Sequence, residues 1–336
     1  VIRTIRTRKI VFHTASISLA VLLIWLSLRG INFAEFWESM RVGNYFWIAP
    51  LLFITLISHL IRAVRWHALV SAIDDEASSK IPILHLFAAL MIGNMVNYVL
   101  PRAGEIARCT YLSANHKASF SSLLGTVTVE RILDIVVLGL GLLITVSFLR
   151  ERFQVISDEL SIPDLPWLLI AIGCLLIAIV IYTWLRLKPS SGMRIHLISW
   201  LKKFIVGLKT IYQTHLRSRL IWTTIIMWFL YALMAYIPLL MFKLGGSGML
   251  SYWDAMAIMF IGVLGIAVPT PGGAGSFHYL TILTLTALYG IEQSGATAYA
   301  VFVHGAQFVL YLSVGGLILL VSWFKSGRKS SESSEP

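Results

Sequence analysis

The sequence predicts an all-α integral membrane protein of about six spanning helices plus two re-entrant helical hairpins, arranged as an inverted repeat. Three observations predict it. The chain is 57% hydrophobic and only 13% charged, with a mean hydropathy of +0.80, outside the range of soluble domains. Its apolar runs reach the roughly 20 residues that a helix needs to cross hydrocarbon. Two of those runs are broken by proline and glycine, one in each half of the chain. A broken backbone at membrane depth survives only where protein or a polar cavity satisfies its freed groups.

Taken in order, Ile10–Leu28 predicts the first span. The basic Arg3, Arg6, Arg8 and Lys9 before it resemble the start of a signal peptide. The apolar run is long and has no small-x-small site, so it is expected to be a retained anchor. Tyr45–Trp66 predicts the second span, with Arg62, Arg65 and Trp66 suited to a membrane interface at its end. After the polar linker Asp74–Lys80 comes the first interrupted segment, Pro82–Leu112, whose centre reads Leu100-Pro101-Arg102-Ala103-Gly104-Glu105. Ser113–Ser119 predicts a loop, and Phe120–Leu149 a span.

Arg150–Pro166, of mixed charge and with two prolines, divides a half of about 10–149 from one of about 167–324. The second half predicts a span at Trp167–Leu187 and an amphipathic surface helix at about 192–216, with Leu197, Leu201, Phe204 and Leu208 opposite Lys202, Lys203 and Lys209. A span follows at Leu220–Phe242. The second interrupted segment, Tyr252–Tyr289, carries Pro269-Thr270-Pro271-Gly272-Gly273-Ala274-Gly275. A last span covers Thr297–Trp323. Residues 1–324 thus form one membrane domain, and 325–336 are expected to be a disordered cytoplasmic tail.

The net charge of +11 lies between spans rather than on one face. That argues for basic cytoplasmic loops and against nucleic acid. With both termini in the cytoplasm and both interrupted segments returning to the side they left, only Arg29, Arg41, Arg150, Arg152 and Lys243 face out. Cys109 and Cys174 are the only cysteines. Both sit in apolar context and predict buried small residues rather than a disulfide scaffold.

Six ionisable residues fall in or beside apolar helices: Arg102, Glu105, Arg108, Glu130, Arg131 and Asp134. Each isolated charge at a helix centre costs roughly 2.5–3.5 kcal/mol, so they must face an interior and pair. Spacing allows Glu105 with Arg108 and Arg131 with Asp134. A structural ion-pair network and a polar cavity for a charged headgroup both fit. The six sum to zero, so binding an anion would need a protonated carboxylate, a charged His278 or His304, or a rearranged pair. The glycine run offers either a backbone anion nest or a tight hairpin. Asn94 and Asn97 are placed to satisfy freed backbone or to touch ligand. No metal-spaced cluster, nucleotide loop or nucleophile elbow occurs, so neither metal nor cofactor is expected and catalysis is disfavoured.

These motifs, Pro101-Arg102-x-Gly104-Glu105-x-x-Arg108, Glu130-Arg131-x-x-Asp134 and Pro269-x-Pro271-Gly272-Gly273-x-Gly275, together with Arg62-x-x-Arg65-Trp66, carry a family resemblance. From about residue 10 to 324 the sequence resembles the flippase-like membrane domain of lysylphosphatidylglycerol synthases. The resemblance implies a lipid-handling membrane protein. In the synthases this domain moves an aminoacylated phospholipid between leaflets while a separate cytosolic domain performs the transfer. No such domain is expected here. This chain departs from the family at His278, where Glu is usual, and at His304, where Arg is common.

The function expected is transbilayer movement of a phospholipid or lipid-linked intermediate with a phosphate-bearing headgroup, in the cell membrane. Arg102 and Arg108 would contact phosphate. Membrane lipids are the expected partners, with a separate lipid-modifying enzyme or glycosyltransferase as a candidate. The alternatives are a membrane-embedded lipid transferase and a non-transporting accessory subunit.

Overall fold

Helix α1 spans Ile2–Leu28 and stops at Gly30, whose φ of +83° turns the chain. The short helix α2, Phe33–Val42, begins where the Asn32 side chain accepts the Ala34 N–H, and it lies bent by 86° from α1. The sequence pattern predicts no element there. A single 3-10 turn at Tyr45–Trp47 leads into α3, Ile48–Val70. The computed structural model describes residues 2–73, 77, 80–152, 154, 214–245, 250–268 and 270–332. The expected span Trp167–Leu187, Cys174, Pro269 and all but the last three residues of the expected surface helix at 192–216 lie outside them.

The first interrupted segment resolves into α4, Ile83–Val99, and α5, Gly104–His116. Leu100 is extended, as the residue before a proline prefers, and α4 ends there. Helix α5 runs four residues into the stretch expected as a loop and closes on Lys117 in the left-handed conformation. Ser119 then caps α6, Phe120–Phe148. Helix α7 spans Thr214–Met241, and α8, Tyr252–Ala267, starts with a reciprocal Ser251–Asp254 capping box. Past the second break comes α9, Ser276–Leu283, which continues as one π-helical turn over Thr284–Leu288. The last helix, α10, spans Gln293–Glu332 and so extends well past Trp323, into the stretch expected to be a disordered tail.

The protein is thus all-α and multi-spanning. Among the described residues, α3, α6, α7 and α10 are long and apolar enough to cross a membrane, and the bent pair α1–α2 makes a fifth if it is one span. Helices α4 and α8 are apolar but shorter. Leu140, Leu143 and Ile144 of α6 and Leu317, Leu320 and Val321 of α10 are exposed. Their place on spanning helices matches a hydrocarbon solvent.

Each break is a tight helical hairpin built on a glycine contact. A Cβ on Gly104 would overlap the Gly93 carbonyl, so α4 and α5 approach backbone to backbone. In the second hairpin a Cβ on Gly265 would meet the backbone of Ser276 and Phe277, drawing α8 onto α9. The same separation, 11 residues, divides Gly93 from Gly104 and Gly265 from Ser276. Around α4 and α5 a core forms with α3 and α6, centred on Trp66, Leu86, Leu90, Leu112 and Leu123. Around α8 and α9 a second core, including Leu239, Ile258, Leu285 and Tyr299, joins α7 and α10. The tips meet: Arg102 Nη2 donates to the Ala267 carbonyl over 2.9 Å, and Gly272 lies against the Tyr98 ring.

Candidate functional site

Between the two hairpins lies a cavity of about 750 Å³, walled by α3 to α10. Three helices bring charge to it. Helix α3 presents Arg62 and Arg65 from one face, since residues three apart project together. Helix α6 supplies Glu130, Arg131 and Asp134, and α5 supplies Arg108.

Glu130, fully buried, is the hub. It accepts from Arg62 Nε at 2.7 Å and from Arg131 Nη2 at 2.8 Å. Arg108 Nη1 lies 2.9 Å from its other oxygen, and Arg65 Nη2 lies 3.5 Å away. Asp134 receives Arg65 at 2.7 Å and Arg131 at 3.3 Å. Among the described residues, four guanidiniums therefore converge on two carboxylates, leaving an excess of two positive charges. Taking unpaired charge out of water is costly, and this cluster keeps it because one side opens on the cavity.

Arg108 is the least satisfied member. It is almost wholly buried, and its guanidinium lies 4.5 Å from the centre of the Trp66 ring, a cation–π contact. The Trp66 indole N–H is held by Thr126 Oγ1 at 2.9 Å. Among the described residues, none of the three Arg108 side-chain nitrogens has a hydrogen-bond acceptor in good geometry, and Asn94 Nδ2 on α4 is likewise without one. Both residues line the cavity.

Residues 14–315 match the family model described as the lysylphosphatidylglycerol synthase TM region. The chain belongs to that family. It matches none of the curated proteins with which it was compared. Membership places it among flippase-like helical membrane transport domains.

The structure redistributes the residues expected at the site. Arg62, Arg65 and Trp66, expected at the membrane interface, pack against neighbouring helices rather than on an outer surface. Helix α3 runs on to Val70, with Arg65 and Trp66 fully buried and Arg62 half-buried. With these two arginines counted, the charged group is not neutral. Arg108 reaches Glu130 rather than Glu105, while the Arg131–Asp134 pair forms as its spacing allows. Glu105 lines the cavity without an ion-pair partner among the described residues. Arg102 also lines it, from an exposed position at the hairpin tip. Asn97 lines the cavity, and its Oδ1 accepts the Gly104 N–H at 2.7 Å, capping the backbone freed at the start of α5.

The glycine run is a tight turn. The N–H groups of Gly273 and Ala274 bond to Thr270 and Pro271 within the run, and that of Gly275 faces His278 Nδ1 at 3.4 Å. These donors are therefore committed to the turn, which leaves little for an anion nest. Gly272 and Gly273 line the cavity with positive φ, and Gly275 at φ +82° packs against the Ala20 carbonyl of α1. Pro271 opens the turn. His304 Nε2 lies 3.0 Å from the Gly272 carbonyl, and its ring centre is 4.8 Å from that of His278. Cys109 is buried, as its context predicted. Sequence reasoning missed His59, which lines the cavity with Nε2 2.7 Å from the Tyr311 hydroxyl. A histidine and a tyrosine inside apolar spans were the available signal.

Proposed function

We propose that this protein moves a phospholipid or lipid-linked intermediate with a phosphate-bearing headgroup from one leaflet to the other. The observation that carries the reading is Arg108: a buried guanidinium with unfilled donors, on the wall of a cavity large enough for a headgroup. An arginine fork suits phosphate oxygens, and the surplus positive charge favours an anion. Arg102 at the tip would make the first contact and Arg108 the deeper one. Membrane lipids are its partners, supplied by or delivered to a separate lipid-modifying enzyme or glycosyltransferase.

The topology we propose is about six spans with two re-entrant hairpins, one from each face, and both termini in the cytoplasm. The matched glycine contacts and the meeting of the tips support it. Alternating access would part the two breaks in turn.

Leaflet exchange in proteoliposomes tests the reading, using fluorescent lipids of varied headgroup and an outer-leaflet quencher. Headgroup-dependent exchange that falls in well-folded Arg102→Ala and Glu105→Gln variants is expected. No exchange above empty vesicles for any anionic, aminoacylated or polyprenyl-phosphate lipid would sink it.

A further inference from the structure

We propose that the cavity seats a headgroup bearing two negative charges, a phosphomonoester or diphosphate, with Arg108 as direct ligand and the Asn94 amide beside it. The inference rests on the lipid-moving reading only for the source of the anion, not for its charge.

Charge sets the preference. Among the described residues, the cluster around Glu130 carries four arginines against two carboxylates. Arg102 and Glu105, the other charged residues on the wall, offset each other formally. A phosphodiester headgroup carries one negative charge and leaves half of the surplus uncompensated. An aminoacylated diester adds a cation and makes matters worse. A monoester dianion or a diphosphate brings the buried group to neutrality, the condition under which buried charges are tolerated.

Geometry sets the place. Arg108 and Asn94 belong to facing helices of one hairpin, where the Gly93 backbone lies against the Arg108 Cβ. Arg108, buried, and Asn94, half-buried, both line the cavity, and among the described residues Arg108 Nε and Nη2 and the Asn94 amide nitrogen have no hydrogen-bond acceptor. Arg131, whose Nε is also unpartnered, approaches from α6. Phosphate oxygens accept from donors of this kind, whereas an ammonium group brings only donors of its own to them.

The test uses the full chain in neutral detergent. Its affinities for dioctanoyl phosphatidic acid, a monoester, and dioctanoyl phosphatidylglycerol, a diester, are compared by thermophoresis, with lysylated phosphatidylglycerol as the cationic control. The monoester should bind at least about 10-fold tighter than the diester, with the cationic lipid weakest. Arg108→Gln should remove most of that preference. Asn94→Asp, which keeps side-chain size and adds a negative charge, should weaken phosphatidic acid binding by roughly 10-fold without disturbing packing. Inorganic pyrophosphate competing at concentrations comparable to phosphatidic acid would support the seat with a free anion as its source. Monoester preference without such competition would support a lipid. Equal affinity for monoester and diester, preference for the lysylated lipid, or wild-type binding by monodisperse variants would overturn the proposal. Monoester preference with no leaflet exchange would remove the transport reading and leave the seat; exchange without the preference would do the reverse.

Discussion

Arg102 Nη2 donates to the carbonyl oxygen of Ala267, joining the two helical breaks across 165 residues of sequence. Arg102 does this from the left-handed backbone region, φ +62°, which costs a residue with a Cβ about 1–2 kcal/mol. The guanidinium bond to an exposed end of α8 offsets that cost only while the tips stay together. Arg102→Gly relieves the backbone and Arg102→Ala does not, yet both remove the clasp. Hydrogen exchange at residues 270–275 should rise by roughly tenfold in both variants, the size expected when about 1.4 kcal/mol of local stability is lost. Thermal stability should separate them, with the Gly variant ahead of the Ala variant. Unchanged exchange in both would mean the tips are held by the Tyr98–Gly272 contact instead.

Glu130 is the residue whose loss should cost most. Glu130→Gln leaves four guanidiniums around one remaining carboxylate, and removing one partner of a buried pair costs about 3–5 kcal/mol. Arg65→Gln, which lowers the surplus, should cost less. The double variant should be more stable than the sum of the two, because the second change removes a charge the first left stranded. Denaturant titration in detergent measures all three. Strict additivity would mean that Arg65 and Glu130, 3.5 Å apart, are not coupled.

The hairpins were legible because proline, glycine and charge interrupt apolar runs that have no other reason to break. The limits of α4, α6, α8 and α9 fall within a few residues of where those signals placed them. The ion-pair hub was not legible in full. Glu130 meets Arg62 across 68 residues, and nothing local announces that pairing. Arg62, Arg65 and Trp66 matched an interfacial pattern, and only the continuation of α3 to Val70 reveals their burial. Helix α2 left a signal that was overlooked: Asn32 bonds both the Ala34 N–H and Glu35, a capping arrangement visible as Asn-x-x-Glu. The preference of Arg108 for Glu130 over Glu105 is tertiary, since intrahelical spacing favours the pair that does not form.

Two glycines on α6 should behave oppositely. Among the described residues, Gly139 has no heavy atom within 4 Å of the position a Cβ would take, whereas a Cβ on Gly141 would overlap the Phe260 ring. That ring is stacked on Trp228 at 5.2 Å and has little room to retreat. Gly139→Ala should be neutral or gain up to about 1 kcal/mol from reduced unfolded-state entropy. Gly141→Ala should lose about 1–3 kcal/mol through overpacking. Thermal unfolding of the two variants decides it, and equal Tm values would mean that α6 and α8 do not pack as described.

Acid should loosen the open end of the first hairpin. His85 in the first turn of α4 and His116 in the last turn of α5 join through Nδ1 and Nε2 at 2.7 Å. Such a bond needs one nitrogen without a proton, so the pair cannot hold two charges and stay joined. Partial burial, and then the neighbouring His85 imidazole, hold His116 below its ordinary value of 6.5. A group with a depressed folded value binds fewer protons folded than unfolded across the interval between the two values. The stabilisation is therefore complete above about pH 6.5 and is lost as pH falls through the folded value. Tm of the native chain should drop between about pH 7.5 and pH 5.5, and the His116→Asn variant should show a shallower drop. Amide protection at the 113–119 turn, taken relative to the intrinsic exchange rate at each pH, should fall over the same interval in the native chain and much less in the variant. Parallel Tm curves would place the acid sensitivity elsewhere in the protein.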